Sequence, residues 1–182
     1  MRLLLALPLL LAAAQAAVSP EDISVTLYSF RDDAVSIKNT AAQINIVNGP
    51  LVTIDQGPLA KVVKSLNDAA DSGNAVGAQL GGTAVVTDKT DADNIFSAYV
   101  AFAQAHVALF DQMTSRSGVM RVVPNRTGPS VTKALKRVQA VIYGFTDFLE
   151  QVVPSKANAM ETQFAPLVTS MDKTMRAYSP FL

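Results

Sequence analysis

His106 is the single histidine in a chain of 182 residues that has no cysteine. Any histidine-dependent triad or proton relay would therefore have to run through it. It stands on an apolar stripe, Ile95, Tyr99, Phe102, His106, Leu109 and Met113, one turn from Phe102 and Phe110. No carboxylate lies within one helical turn toward the N-terminus, and Asp111, five residues on, faces elsewhere. An imidazole so placed reads first as a core histidine with one hydrogen-bond partner, second as a polar contact in a ligand cavity, and last as a catalytic base. A lone histidine cannot build a histidine-rich zinc site, and without cysteine there is no thiol nucleophile, thiolate metal site or thiol redox chemistry. Asp88, Asp91 and Asp93 open like a calcium loop, but Ile95, Ser97 and Tyr99 follow where oxygen ligands are needed, so helix capping explains them better. Gly77 to Gly82 is followed by no Gly-Lys-Ser/Thr and is not a phosphate loop. The residues thus point to a protein without catalytic, cofactor or metal site, that is, not an enzyme.

The elements that carry these residues are legible from their spacing. Ile23, Leu27, Phe30, Ala34, Ile37, Ala41 and Ile44 recur at intervals of four and three, as do Val131, Leu135, Val138, Ile142, Phe145, Leu149 and Val152. That interval returns to one side of an α-helix at every turn, so each ladder is a buried stripe on a polar rod. With no strand-like segment of comparable length, the expected fold is an all-α, single-domain antiparallel bundle of four to five amphipathic helices. The first helix starts at Ser19-Pro20-Glu21-Asp22, a capping box with proline at the first helical position, and runs to about Val47. The second carries Leu59, Val62, Val63, Leu66, Ala69 and Ala70 and ends near Ser72-Gly73-Asn74. Gly73 to Lys89 reads as a loop with one turn around Val76 to Leu80. A capping box at Thr90 to Asp93 opens the third helix, which reaches about Ser117. Pro129 opens the fourth, which ends at Val153-Pro154. Ser155 is expected to cap the fifth, whose stripe is Met160, Phe164, Leu167, Met171, Met175 and Tyr178, with Pro166 kinking or splitting it.

The amino-terminal segment has a different character. Arg2 followed by the apolar run Leu3 to Ala14 and by Ala14-Gln15-Ala16 reads as a secretory signal over residues 1–16, too short to span a bilayer comfortably. The expected product is secreted, extracellular or wall-associated, with a bundle domain over 17–182. A domain of that size buries roughly 70% of its unfolded surface, enough to be held by its core without disulfides. Asn125-Arg126-Thr127 is a glycosylation sequon in an expected loop. Near-balanced charge gives no nucleic-acid signature. Charge is nevertheless segregated: Gln112 to Thr146 holds six basic residues and no acidic one. That distribution reads first as a dipolar solvated surface and second as a site for an anionic head group or polymer.

What remains is apolar surface. Eight phenylalanines, four tyrosines and six methionines sit mostly on the ladders. Such side chains in helical seams are adaptable linings for irregular apolar ligands. The segments GPLAKVVKSLNDAA, NIFSAYVAFAQAHVALFDQM, VTKALKRVQAVIYGFTDFLEQVVP and METQFAPLVTSMDKTMRAY, in that order after a signal peptide and without cysteine, resemble the fungal hydrophobic surface binding protein A family, also called the cell wall galactomannoprotein family. The resemblance implies a secreted helical bundle that adsorbs to hydrophobic surfaces or, in some mannoprotein members, binds fatty acid in a central tunnel. It departs in the glycine-rich 73–89 segment and in lacking a serine/threonine-rich anchored tail, which favours a freely secreted protein. The expected ligand is a fatty acid or other apolar small molecule. The alternatives are adsorption with recruitment of hydrolases, and a structural mannoprotein in contact with cell-wall polysaccharide. The expected lining is Phe102, His106, Leu109, Phe110, Val138, Ile142, Phe145, Leu149 and Met171.

Overall fold

The computed structural model describes residues 18–123 and 128–179. The leader read over residues 1–16 and the sequon at Asn125 lie outside the described residues. Among the described residues there are five α-helices: α1 (Pro20–Ala42), α2 (Gly57–Gln79), α3 (Lys89–Arg116), α4 (Gly128–Val152) and α5 (Ala157–Tyr178). Short 3-10 turns occupy Gly49–Ile54, Ser117–Val122 and Pro154–Lys156. There is no strand among the described residues, and none of the helices described is long and apolar enough to cross a membrane.

The ladders are buried along their whole length, from Ile23 to Ala41 on α1 and on to Ile44 beyond it, and from Val131 to Val152 on α4, as is the α3 stripe from Ile95 to Met113. Each stripe spans a face about 100° wide and must be covered from two sides. The helices solve this as a closed ring, α1 on α3, α3 on α5, α5 on α4, α4 on α2, and α2 back on α1. Consecutive helices alternate in direction, so neighbours α1 and α3, or α3 and α5, run the same way. Phe30 accordingly meets Phe102 at 6.5 Å between ring centres, and Asp111 and Thr114 meet Ser170 and Thr174 in order.

Several boundaries differ from the sequence expectation. Ser19 and Asp22 form the expected box at the start of α1, but the helix stops at Ala42. Beyond it, Asn45 and Asn48 take over the backbone: Asn45 Oδ1 accepts from the Val47 and Asn48 amides, and Asn48 Nδ2 donates to the Gln43 carbonyl. Ile44 stays buried outside the helix. Conversely, α2 continues six residues past Gly73, which is buried within it. A β-carbon at Gly73 would lie 2.3 Å from Val141 Cγ1, so glycine here permits α2 to press on α4 and does not end the helix. The expected loop shrinks to the segment after Gln79, where Val86 donates its amide to the Val152 carbonyl at 2.8 Å.

At the start of α3, Asp88 is the cap, its side chain accepting from the Asp91 amide; the box expected at Thr90 to Asp93 does not form. Asp93 instead pairs with Lys89 and Lys156, which hold its carboxyl down at about 2. Ser155 lies in the 3-10 turn and does not cap α5, whose N-cap is Lys156. Pro166 does not split α5. It lies on the exposed face, where Thr162, whose carbonyl loses its usual amide partner, is also exposed and open to water.

Candidate apolar ligand site

Two of the ring's interfaces behave differently. Between α3 and α5 the contact is closed by side-chain hydrogen bonds, two of the following three to backbone carbonyls. Ser170 Oγ donates to Asp111 Oδ1 at 2.8 Å, Thr174 Oγ1 to the Phe110 carbonyl at 2.9 Å, and Tyr178 OH to the Met113 carbonyl at 3.1 Å. Burial pushes the Tyr178 phenol well above its ordinary range, as expected for a hydroxyl that stays neutral and donates.

The centre of the ring is less well filled. There α3 supplies Phe102, His106 and Leu109, α4 supplies Val138, Val141, Ile142 and Phe145, and α1 and α2 close the far side. On that far side Phe30, Ile37 and Leu66 are long, but Ala34, Ala69 and Ala70 are too short to reach the middle. The resulting seam holds a cavity of about 30 Å³, room for about two water molecules. Phe30 packs edge to face on Phe145 with ring centres 5.6 Å apart, and Phe102 lies tilted against His106 at 4.3 Å.

The seam adjoins a much larger opening. Below the Gly73–Val141 contact, α2 and α4 separate into a groove of about 800 Å³. Its walls are Gly73, Gly77, Gly81, Gly82 and Gly144 together with Leu80, Val85, Phe148 and Val152, and Asn74, Thr83, Asp147 and Gln151 add polar groups. A β-carbon at Gly77 or Gly144 would meet nothing within 4 Å, so these glycines leave open space where an ordinary residue would stand. Val141 and Phe145 belong to both the groove and the seam. These two side chains thus form a common wall between the open groove and the seam.

The polar equipment of the seam is sparse. His106 is 8% exposed, and its Nδ1 lies 2.9 Å from the Phe102 carbonyl oxygen. A carbonyl only accepts, so Nδ1 carries the proton and Nε2 presents a lone pair. Burial lowers the imidazole pKa to about 4, against a smaller opposing effect of that hydrogen bond, so the ring is neutral near pH 7. Asp33 reaches the same cavity from α1, and partial burial, with Asp32 beside it, raises its pKa. Above the groove, Arg137 of α4 is tied to α2 through Asn67 Oδ1 at 2.7 Å and through Asp71.

Of the lining read from the sequence, Phe102, His106, Leu109, Val138, Ile142 and Phe145 converge on the seam. Phe110, Leu149 and Met171 do not: all three are fully buried in the surrounding core. Phe110 and Met171 lie on the α3–α5 side, where Thr174 bonds the Phe110 carbonyl. The residues not anticipated are Phe30, Asp33, Ala34 and Ile37 of α1, Leu66, Ala69 and Ala70 of α2, and Val141 of α4. Most belong to ladders already visible in the sequence, but no residue spacing says which ladders face each other.

Comparison with known proteins bears on the fold. No family profile matches the sequence, and no curated protein matches it. Among solved structures, the chain is similar to AfMP4p in its crystal structure in complex with palmitic acid. The TM-score is 0.66 at 11% identity, covering 88% of this chain and 99% of that one. The two chains thus share a helical-bundle fold.

Proposed function

We propose that this chain is a secreted, non-enzymatic protein that binds a fatty acid or similar lipid, with the acyl chain in the α2–α4 groove and one end in the seam. We further propose that it belongs with the hydrophobic surface binding protein A family. The observation that carries the reading is the shared wall of Val141 and Phe145 between groove and seam. The seam alone has no room for an acyl chain, whereas the groove has ample room and an apolar floor. Burial of about ten methylenes at roughly 0.8 kcal/mol each is worth about 8 kcal/mol before association costs, near the micromolar range. The likeness to AfMP4p, crystallised with palmitic acid, supports the same reading. Solvent extraction of the natively secreted protein, followed by mass spectrometry, is expected to release an acyl lipid. Protein that carries no lipid and also ignores fluorescent fatty-acid probes would refute it.

A second reading, adsorption to hydrophobic surfaces, has its own support in the connection between α1 and α2. There Ile46 and Val47 are 68% and 83% exposed, and Ile54 is 60% exposed. These three apolar side chains sit on one short connection whose only ionisable group is Asp55. Adsorption through this loop predicts retention on hydrophobic beads that is lost in the triple variant Ile46→Ser, Val47→Ser, Ile54→Ser. Unaltered retention of that variant would exclude the loop as the contact.

A further inference from the structure

The seam's polar groups have one chemical sense. His106 Nε2 is a lone-pair acceptor with no hydrogen-bond partner among the described residues, and Asp33 is a carboxylate at the edge of the same cavity. Among the described residues, no lysine or arginine lines the seam or the groove. A ligand carboxylate reaching this point would give up its hydration and meet only acceptors and a like charge. A hydroxyl would donate to Nε2 and so partner an acceptor that no protein group satisfies among the described residues. The small cavity suits such a group, since it has room for a terminal hydroxyl but not for a hydrated anion.

We infer that the end of the ligand held in the seam is a neutral hydroxyl donating to His106 Nε2, so that among acyl lipids long-chain alcohols and hydroxylated chains are preferred over those whose only polar end is a carboxylate or an ester. The inference rests on the apolar-ligand reading above and specifies the chemistry of its buried end. The neutral state of the imidazole, maintained by burial, keeps Nε2 an acceptor.

The test is displacement of a neutral fluorescent probe, N-phenyl-1-naphthylamine, from the untagged mature protein at pH 8. The competitors are dodecan-1-ol, dodecanoate and methyl dodecanoate, which share a chain length and differ at the end group. Dodecanol is expected to displace the probe at about one tenth of the concentration needed by either of the others. In His106→Leu the ratio of dodecanol to methyl dodecanoate is expected to fall to about one. Dodecanoate equal to or better than dodecanol in the unaltered protein overturns the inference while leaving apolar binding intact. Failure of all three competitors, or of the probe to bind, removes the apolar-ligand reading and the inference with it. Because His106 is the only histidine, nitrogen-15 labelling of histidine gives a second readout that requires no variant. The unprotonated ring-nitrogen resonance is expected to move with dodecanol and not with methyl dodecanoate. A resonance that ignores dodecanol contradicts the inference.

Discussion

The α3–α5 and α2–α4 interfaces are both made by parallel neighbours in the same ring, yet one is sealed and the other opens. Between α3 and α5, Ser170, Thr174 and Tyr178 stand at successive turns and bond α3 groups, the latter two to its carbonyls. Between α2 and α4, one glycine draws the helices together at Val141, and the glycines of the following turns leave space that nothing fills. Closure therefore depends less on the apolar ladders, which both interfaces have, than on what stands at their edges. Hydroxyls that reach backbone lock an interface, and missing β-carbons open it.

The contrast can be broken most forcefully from the sealed side. Phe110 is fully buried, and Phe110→Ala is expected to cost about 4 kcal/mol in chemical denaturation. That loss should leave probe affinity unchanged, because Phe110 lies outside the seam and the groove. A matching loss of affinity would extend the site into the α3–α5 half.

Acid probes the seam next. His106 is held neutral, with its pKa lowered from 6.5 to about 4. The unfolded chain then binds more protons than the folded one between those values, so stability is full above pH 6.5 and falls as pH drops toward 4. The loss should approach about 3 kcal/mol and be absent from His106→Leu. Asp33, whose pKa is raised, contributes with the opposite sign near its own range, so the difference between the two proteins is the quantity to measure. Parallel stability curves would contradict the buried neutral imidazole.

A paired substitution sharpens the comparison within α2–α4 itself. Gly73→Ala places a β-carbon against Val141, whose χ1 is stiff in a helix, and is expected to destabilise by about 1–2 kcal/mol. Gly77→Ala meets open space and should stabilise by about 0.5–1 kcal/mol through helix propensity alone. Thermal melts giving both the same sign would remove the distinction between a contact glycine and a space-making one. Thr174→Val is expected to cost about 1 kcal/mol in the same melts, from the lost bond to the Phe110 carbonyl.

The helices were legible because burial imposes a period, and a seven-position ladder such as Ile23 to Ile44 leaves little freedom. Their pairing was not legible. Phe102, His106 and Leu109 of the α3 stripe line the seam and Phe110 does not, although all four read alike as apolar-face positions. Gly73 was misread as a helix stop because the reason for it, Val141, lies 68 positions away in the chain. Likewise Asn45 and Asn48 shorten α1 through side-chain bonds that apolar periodicity does not register. The groove escaped notice for a related reason, since space is made by absent atoms on two helices and appears only once they are set side by side.

The central claim is that a lipid occupies the groove between α2 and α4. It is tested most directly by titrating a fluorescent fatty acid into the unaltered protein and into Gly144→Leu, which adds a side chain where a β-carbon meets nothing within 4 Å. Saturable binding near the micromolar range, weakened at least about tenfold in a Gly144→Leu protein of undiminished stability, is the expected result. Equal affinity in the two proteins, or no saturable binding in either, would contradict it.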